Sequence, residues 1–271
     1  MSKTLRPEEE WARLMIEKAL GVPVVQHDDG SRPAMHDLDI LHDDRSVAAV
    51  EITAAADAPS IELWNIMNSG GRWQVEGLEG GWSVALDPCA RARRLKRELP
   101  GFLGQLEKLE VGEIRPGPPH GRFDGPFDPV AKELGIVNAQ QSGTDYPGNI
   151  YITLELPLER SGGLVADTGD GLAEWLGEFL QEAAQRDVRE KLDASGAVET
   201  HAFVLVPGFT TAPFSASELL MRNDAPLPTR APQLPKEVTR VWAISTWSTG
   251  DGFRWSPDGG WAKFAKIVPE N

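Results

Sequence analysis

Two acidic residues, Asp37 and Glu51, lie in neighbouring segments in which polar and apolar side chains alternate. The first segment covers residues 36–42 and the second covers residues 47–53, with a short polar stretch between them. Alternation with a period of two is typical of half-buried strands, so the two segments are predicted to form a β-hairpin. Each acidic side chain is therefore expected to project from a defined face of its strand.

The apolar residues of this hairpin determine how its strands pair, because both apolar sets must be buried on one face. A three-residue turn at residues 43–45 meets this condition by placing Leu38 beside Val50. The same register puts Asp37 directly opposite Glu51, so that two carboxylates meet on the other face. Opposed like charges repel each other, and a hard divalent cation bound to both carboxylates would remove the repulsion. The pattern therefore indicates a metal site.

The two strands resemble the signature of the PD-(D/E)XK nucleases, which consists of a proline-aspartate pair, a turn and a Glu-X-Lys triplet. Asp37 follows His36, which stands in the proline position, and Glu51 begins the triplet, in which Thr53 takes the lysine position. A predicted helix before the hairpin and a helix and strand after it agree with the element order of that family. The resemblance extends over residues 7–110.

The resemblance implies that Asp37 and Glu51 bind Mg²⁺ or Mn²⁺, which would activate water for hydrolysis of a phosphodiester bond. It implies two further metal ligands, namely the carbonyl oxygen of Ile52 and a glutamate of the preceding helix, either Glu9 or Glu10. The fold that it implies is a restriction-endonuclease-like αβββαβ core, and the substrate that it implies is nucleic acid.

Thr53 is the main departure from the family pattern, and with Asp37 and Glu51 it makes up the set of predicted catalytic residues. A lysine here would position water and offset charge at the phosphate, which a neutral hydroxyl group does not do. Three explanations are open: the cation has been relocated, the metal ions suffice alone, or the activity has been lost. The residues that could supply a relocated cation or a contact to nucleic acid are Arg72, Arg91, Arg93, Arg94, Lys96 and Arg97. A solvated helix face explains the run from Arg91 to Arg97 as well.

The net charge argues against a general nucleic-acid binder. The chain has 41 aspartates and glutamates against 27 lysines and arginines, which gives a formal net charge of −14. The long-range field of such a protein repels phosphate polymers. A metal site needs clustered carboxylates, however, and a local basic patch can still contact a phosphate backbone. Nucleic acid is therefore expected to make local contacts only.

The pattern of elements along the chain predicts an α/β protein with a mixed sheet flanked by helices. The nuclease-like core is expected over residues 1–110, and a Gly- and Pro-rich connection over residues 111–129. Residues 130–271 are expected to form an α/β extension packed on the same sheet. One amphipathic helix of this extension is predicted from Gly171 to Leu192.

The cysteine content and the apolar runs indicate the compartment. The single cysteine, Cys89, excludes an internal disulfide and a thiolate-rich zinc site. No apolar run is long enough to span a membrane and the first residues lack a signal-peptide pattern, so a cytoplasmic location without membrane contact is expected. His36 and His42 flank the acidic strand without the spacing of zinc ligands, and structural or surface roles are expected for them.

Two other functions fit the same residues. A catalytically inactive protein of the nuclease fold would serve as a binding or interaction protein, which the neutral Thr53 and the net charge both favour. An α/β protein unrelated to nucleases would have no metal site, and its sheet could place Asp37 and Glu51 on opposite faces. The relative position of these two carboxylates therefore discriminates between the interpretations.

Overall fold

The chain folds into two compact units in the computed structural model, which describes residues 4–68, 73–116, 125–142, 146–163 and 167–267. The first unit comprises Met1–Ala56 together with Leu158–Asn271, and the second comprises Asp57–Pro157. The second unit is therefore inserted into the sequence of the first.

The helices and strands of the two units follow one another along the chain. The first unit begins with α1 (Pro7–Leu20), β1 (Val24–Gln26), β2 (Leu38–His42) and β3 (Arg45–Ala54). The second unit contributes α2 (Ala58–Asn68), β4 (Trp73–Gln74), β5 (Trp82–Leu86), α3 (Ala92–Lys108), β6 (Glu113–Ile114), α4 (Asp128–Leu134), β7 (Ile136–Gln141) and β8 (Asn149–Leu154). The first unit is completed by α5 (Leu158–Ser161), α6 (Asp170–Gln181), a 3-10 turn (Ala183–Gln185), α7 (Arg186–Ala194), β9 (Glu199–Val206), α8 (Phe214–Met221), β10 (Arg240–Ser245), β11 (Gly252–Ser256) and β12 (Gly260–Phe264).

The first unit is built on a seven-stranded sheet in the order β1-β2-β3-β9-β10-β11-β12. Strands β1, β2 and β3 form an antiparallel meander, whereas β9 runs parallel to both β3 and β10. Apolar residues of α1 are buried in the core on one face, and those of α6, α7 and α8 in the core on the other. The predicted mixed sheet flanked by helices is confirmed at this level.

The second unit has its own five-stranded sheet in the order β4-β8-β5-β7-β6. Strand β5 pairs in parallel with β8 and antiparallel with β7. Because β5 is paired inside this second sheet, it is not the strand that follows the hairpin in the first sheet. The units thus differ from the division predicted at residues 110 and 130. The connection between them falls at Asp57 and Pro157 instead.

Helix α1 begins and ends where local signals predict. Pro7 occupies its first turn together with three glutamates, which favour the positive end of the helix dipole. Glu9 accepts hydrogen bonds from the backbone nitrogen of Arg6 at 2.7 Å and from its Nε at 2.6 Å. Gly21 ends the helix in a left-handed conformation with φ of 69°.

The hairpin has the predicted register but a different turn. Leu38 pairs with Val50 as expected, whereas the turn contains two residues, Asp43 and Asp44, and not three. Both have positive φ, 49° and 58°, as a tight two-residue hairpin turn requires. The turn is one residue shorter than the predicted turn, and a bulge at Val47 adds one unpaired residue to β3. The bulge therefore restores the register in which the apolar side chains share one face.

The single helix predicted from Gly171 to Leu192 is divided in two. Glu182 adopts an extended conformation with ψ of 150°, and the 3-10 turn follows it before α7 begins. Arg189 donates hydrogen bonds to the carbonyl oxygens of Leu180 and Glu182, which satisfies acceptors at the end of α6. The break gives α7 a direction of its own against β3.

No helix in the described part of the chain combines the length and the apolar character that crossing a bilayer requires.

Candidate active site

Strand β3 carries Glu51 in the middle of the first sheet. The strand is buried without interruption from Ala48 to Ile52, because β2 and β9 flank it and helices cover both faces. Apolar residues occupy the other four positions of that stretch, and Glu51 itself is only 3% exposed. A carboxyl group in such surroundings needs partners, and ionisable groups of this kind are typical of functional sites.

Asp37 lies immediately before β2, at the same end of the hairpin as Glu51. Its backbone nitrogen donates a hydrogen bond to the carbonyl oxygen of Val50 at 3.1 Å. Its Oδ2 accepts one from the backbone nitrogen of Ile52 at 2.8 Å, and the residue is 2% exposed. The carboxylate of Asp37 therefore accepts the hydrogen bond of the backbone nitrogen that follows Glu51 in β3. This contact lies just beyond the last residue pair of β2 and β3.

Lys191 of α7 is the cation that contacts Glu51. Its Nζ donates a hydrogen bond of 2.6 Å to Oε1 of Glu51 and lies 3.3 Å from Oδ2 of the exposed Asp187. The other carboxylate oxygen of Glu51, Oε2, is buried and has no hydrogen-bond partner among the described residues. The site therefore combines two buried acids, one cation and one unsatisfied acceptor.

The electrostatics of the site favour binding of additional positive charge. Burial and then the negative charge of Asp37 raise the pKa of Glu51 to about 8, although Lys191 opposes the shift. Burial also raises the pKa of Asp37, and the charge of Glu9 adds to that effect. The pKa of Lys191 is raised because its bond to Glu51 and the nearby acids outweigh its burial. The negative charge of Asp37 thus acts on Glu51, and the sharing of one metal ion by the two carboxylates stays a prediction.

The sequence did not indicate Lys191 as a site residue. It lies 140 residues after Glu51, in a helix whose buried residues are Val188 and Leu192. Lys191 is next to this apolar stripe, so its stem is covered by the sheet while its amine reaches the carboxylate. The one feature of the sequence that could have indicated Lys191 is its position beside the apolar face of an amphipathic helix. Many surface lysines share this feature, so it does not identify a site residue.

Thr53 holds the 3-10 turn that precedes α7. Its hydroxyl group donates a hydrogen bond of 2.8 Å to Oε1 of Gln185, which is buried. Thr53 lies on the same face of β3 as Glu51, since alternate residues of a strand share a face. The contact therefore connects β3 to the start of the helix that carries Lys191, and it gives Thr53 a positioning role.

Thr53→Val is expected to destabilise the protein by about 1–3 kcal/mol, because it leaves the buried amide oxygen of Gln185 without its donor. Cleavage of nucleic acid, if measured in the same variant, should fall by less than about tenfold, as expected for a residue acting through Lys191. Urea unfolding checks the first expectation, with the exposed Thr211→Val as the control. A loss of a hundredfold or more in cleavage at unchanged stability would show that Thr53 is catalytic.

The two glutamates predicted as alternative metal ligands differ in their surroundings. Glu9 is 2% exposed and its charge acts on Asp37, but Arg6 occupies both of its carboxylate oxygens. Glu10 forms an ion pair with Arg13, at 2.7 Å, on the partly exposed side of α1. The charge of Glu9 therefore acts on Asp37 while its own oxygens are bound to Arg6, and metal binding by Glu9 or Glu10 stays a prediction.

The predicted carbonyl ligand, that of Ile52, lies at the end of β3 that extends beyond β2. The backbone nitrogen of Ile52 faces Asp37, and in an antiparallel pair the N–H and C=O groups of one residue point toward the same neighbour. Strand β2 begins only at Leu38, so the carbonyl group of Ile52 is directed past its end. Metal binding by this oxygen stays a prediction.

Five of the basic residues predicted as relocated cations lie in the second unit, in helix α3 or directly before it. Arg91 precedes α3 in the second unit, and Arg93, Lys96 and Arg97 lie in that helix. Arg94 is held by Glu98 at 2.8 Å and Glu133 at 2.7 Å, which neutralises it. Arg72 lies outside the described residues. Contact of these residues with nucleic acid stays a prediction, and the cation beside Glu51 is Lys191.

A divalent cation fits the Asp37–Glu51 pair on chemical grounds. Both groups are hard oxygen donors, and the unpartnered Oε2 of Glu51 offers an acceptor with no competing donor among the described residues. Within the part of the chain that the structure describes, only His27, His36 and Asp39 bring three histidine, cysteine or acidic ligand atoms within 4.8 Å of one another. Glu9, Asp37 and Glu51 therefore do not form a closed three-carboxylate cluster.

Comparison of the chain with protein-family models, with curated proteins and with solved structures found no match in any of the three. The function is therefore inferred from the chemistry of the site itself.

Proposed function

We propose that the first unit is a divalent-metal-dependent nuclease that hydrolyses phosphodiester bonds at the Asp37–Glu51 pair, with Lys191 in place of the lysine that β3 lacks. The observation that carries the proposal is the 2.6 Å contact between Lys191 Nζ and Glu51 Oε1 beside a second buried acid. Of the three explanations for Thr53, relocation of the cation is the one that this contact favours.

The order of elements in the first unit supports the same proposal. Reading the unit without its insertion gives the helix α1, the antiparallel strands β1, β2 and β3, the helices α5, α6 and α7, and the parallel strand β9. With α7 as the core helix and α5 and α6 as additions before it, this order would match the αβββαβ order implied by the resemblance, with its second half supplied from beyond residue 158. The proposed core is therefore discontinuous in sequence.

Asp37 and Glu51 would hold Mg²⁺ or Mn²⁺, which when bound supplies a Lewis acid and lowers the pKa of a water ligand. Asp37 is oriented for this role by the hydrogen bond that it accepts from the Ile52 nitrogen. Lys191 offers an ammonium group at the rim of the site, 19% exposed, where it can bind a phosphate oxygen and offset the charge that develops there. Binding at this point depends on local charge, because the molecule as a whole is acidic.

Purified protein is expected to cleave nucleic acid with Mg²⁺ or Mn²⁺ and not in EDTA, and Asp37→Asn should reduce the rate at least about a hundredfold. Single- and double-stranded DNA and RNA are the substrates to be tested. The matched control is Asp43→Asn in the exposed hairpin turn, where asparagine tolerates the positive φ. Absence of cleavage despite Mn²⁺ binding that requires Glu51 would instead favour a catalytically inactive binding protein.

A further inference from the structure

A second cluster of ligand-type side chains lies at the start of the hairpin, outside the Asp37–Glu51 pair. Asp39 Oδ2 is 2.8 Å from His27 Nδ1, and Asp39 Oδ1 is 2.9 Å from His36 Nε2. Ser46 on β3 adds a hydroxyl group that donates a hydrogen bond to Asp39 Oδ1 at 2.9 Å. Two imidazoles and one hydroxyl group therefore contact the carboxylate of Asp39.

We infer that His27, His36 and Asp39 form a binding site for a borderline divalent cation of the Zn²⁺ type. Two imidazoles with one carboxylate are a ligand set of zinc sites with three protein ligands. Mg²⁺ and Mn²⁺ prefer oxygen ligands, whereas imidazole nitrogen suits zinc and its neighbours in the first transition row. The inference does not depend on the nuclease proposal, because the two sites use different residues.

The distances within the cluster are close to those of a metal site. Tetrahedral zinc with bonds of about 2.0–2.1 Å holds neighbouring ligand atoms about 3.3 Å apart. The two histidines contact different oxygens of Asp39, at 2.8 Å and 2.9 Å. One ligand atom from each of the three residues lies within 4.8 Å of the other two. Small rotations of the side chains would therefore bring the three ligand atoms around one ion.

The arrangement of the two rings also suits a cation. They stack with centroids 3.8 Å apart and an angle of 14°, so both rings lie on the same side of Asp39. A neutral imidazole can carry its proton on either nitrogen, and a tautomeric shift would direct the lone pair of the nitrogen that now contacts Asp39 toward the ion.

The backbone holds the two histidines together across a loop. His27 follows β1, and its nitrogen donates a hydrogen bond of 2.9 Å to the carbonyl oxygen of Asp37. His36 immediately precedes Asp37 and is 5% exposed, whereas the side chain of His27 is 27% exposed. Solvent can therefore enter at His27. A bound ion would connect the loop to β2 and stabilise the strand end at which Asp37 lies.

Titration of the untagged chain with Zn²⁺, and with Co²⁺ as a spectroscopic probe, tests the inference. We expect one ion per chain, visible d–d absorption typical of tetrahedral cobalt, and a Tm that rises on addition of Zn²⁺. His27→Gln and Asp39→Asn should each weaken binding by about a hundredfold or more. His27 is partly exposed, so His27→Gln is the variant that decides the matter if Asp39→Asn does not fold.

The controls separate this site from others that bind zinc. His42→Gln changes a histidine of the same hairpin that is 70% exposed beside Asp43, and it should bind Zn²⁺ as the wild type does. Glu51→Gln should also retain Zn²⁺ binding, since it alters only the carboxylate pair. Zinc binding that is absent in the wild type, or unchanged in His27→Gln, would overturn the inference. Zinc binding lost in Glu51→Gln but retained in His27→Gln would assign the ion to the other site and overturn it equally.

Discussion

Glu51→Gln is expected to abolish cleavage and, in the absence of metal, to make the folded state more stable at pH 8. Cleavage should fall at least about a hundredfold, because the amide offers a neutral and weaker ligand than the carboxylate. The stability change has a separate cause in the raised pKa of Glu51. A residue that lowers stability and supports activity is typical of a site maintained for function.

The pH dependence follows from the proton that the folded chain retains. Glu51 loses its proton near pH 4.5 in an unfolded chain and near pH 8 in the folded one. Between these values the folded state binds more protons than the unfolded state, so the free energy of unfolding decreases as the pH rises. The contribution is present in full below pH 4.5 and is lost above about pH 8. Each pKa unit corresponds to about 1.4 kcal/mol, so we expect a decline of about 2–4 kcal/mol between pH 5 and pH 8.

Urea unfolding in EDTA at intervals from pH 5 to pH 8 measures this decline, which Glu51→Gln should flatten. The matched control is Glu190→Gln, which changes an exposed glutamate of α7. Mn²⁺ should reverse the decline in the wild type, because a bound cation replaces the proton on Glu51. If the free energy of unfolding changes with pH equally in the wild type and in Glu51→Gln, Glu51 is ionised throughout this range. That outcome would contradict the raised pKa of Glu51.

Lys191→Met is expected to reduce cleavage by about a hundredfold to a thousandfold while Mn²⁺ binds more tightly. Methionine retains most of the apolar stem but removes the charge that now lies 2.6 Å from Glu51. Without that charge, a cation meets less repulsion at the carboxylates, whereas the phosphate loses its positive partner. Opposite changes in affinity and rate would show that the lysine weakens metal binding but stabilises the reacting phosphate.

Calorimetry with Mn²⁺ and cleavage rates measured at saturating Mn²⁺ check this expectation. Lys236→Met is the control, since Lys236 is 87% exposed on the same unit. Stability should fall at pH 8 by about 2 kcal/mol, because Glu51 loses its buried partner, and combining the variant with Glu51→Gln should recover most of that loss. Wild-type cleavage by Lys191→Met would exclude the lysine from the mechanism and leave the metal ions as the sufficient explanation.

The hairpin is the part of the site that could be predicted from local sequence. A period of two leaves one register that buries Leu38 with Val50, and a one-residue slip would expose both. The length of the turn does not alter this constraint: the turn is one residue shorter than predicted, and the bulge at Val47 compensates for it. The same register led to the prediction that Asp37 and Glu51 share the other face, and the ladder of paired residues ends one position before Asp37, at Leu38.

Helix boundaries were predictable only where a strong local signal marked them. Pro7 and Gly21 define α1 by their backbone preferences, which depend little on the rest of the chain. The break before α7 has no such signal, because the residues at 182–185 include two alanines and are compatible with a continuous helix. Packing of α7 against β3 and the bonds from Arg189 decide the break.

The sequence by itself determined the hairpin and its register, because these depend on contacts between residues close together along the chain. The tertiary structure decided which later segment completes the site. Parallel pairing of β9 with β3 joins residues about 150 positions apart, and no local periodicity specifies such a partner. The insertion of Asp57–Pro157 shifts the next core helix and strand beyond residue 158. Lys191 therefore reaches Glu51 through the fold, and its distance along the chain conceals it from the sequence.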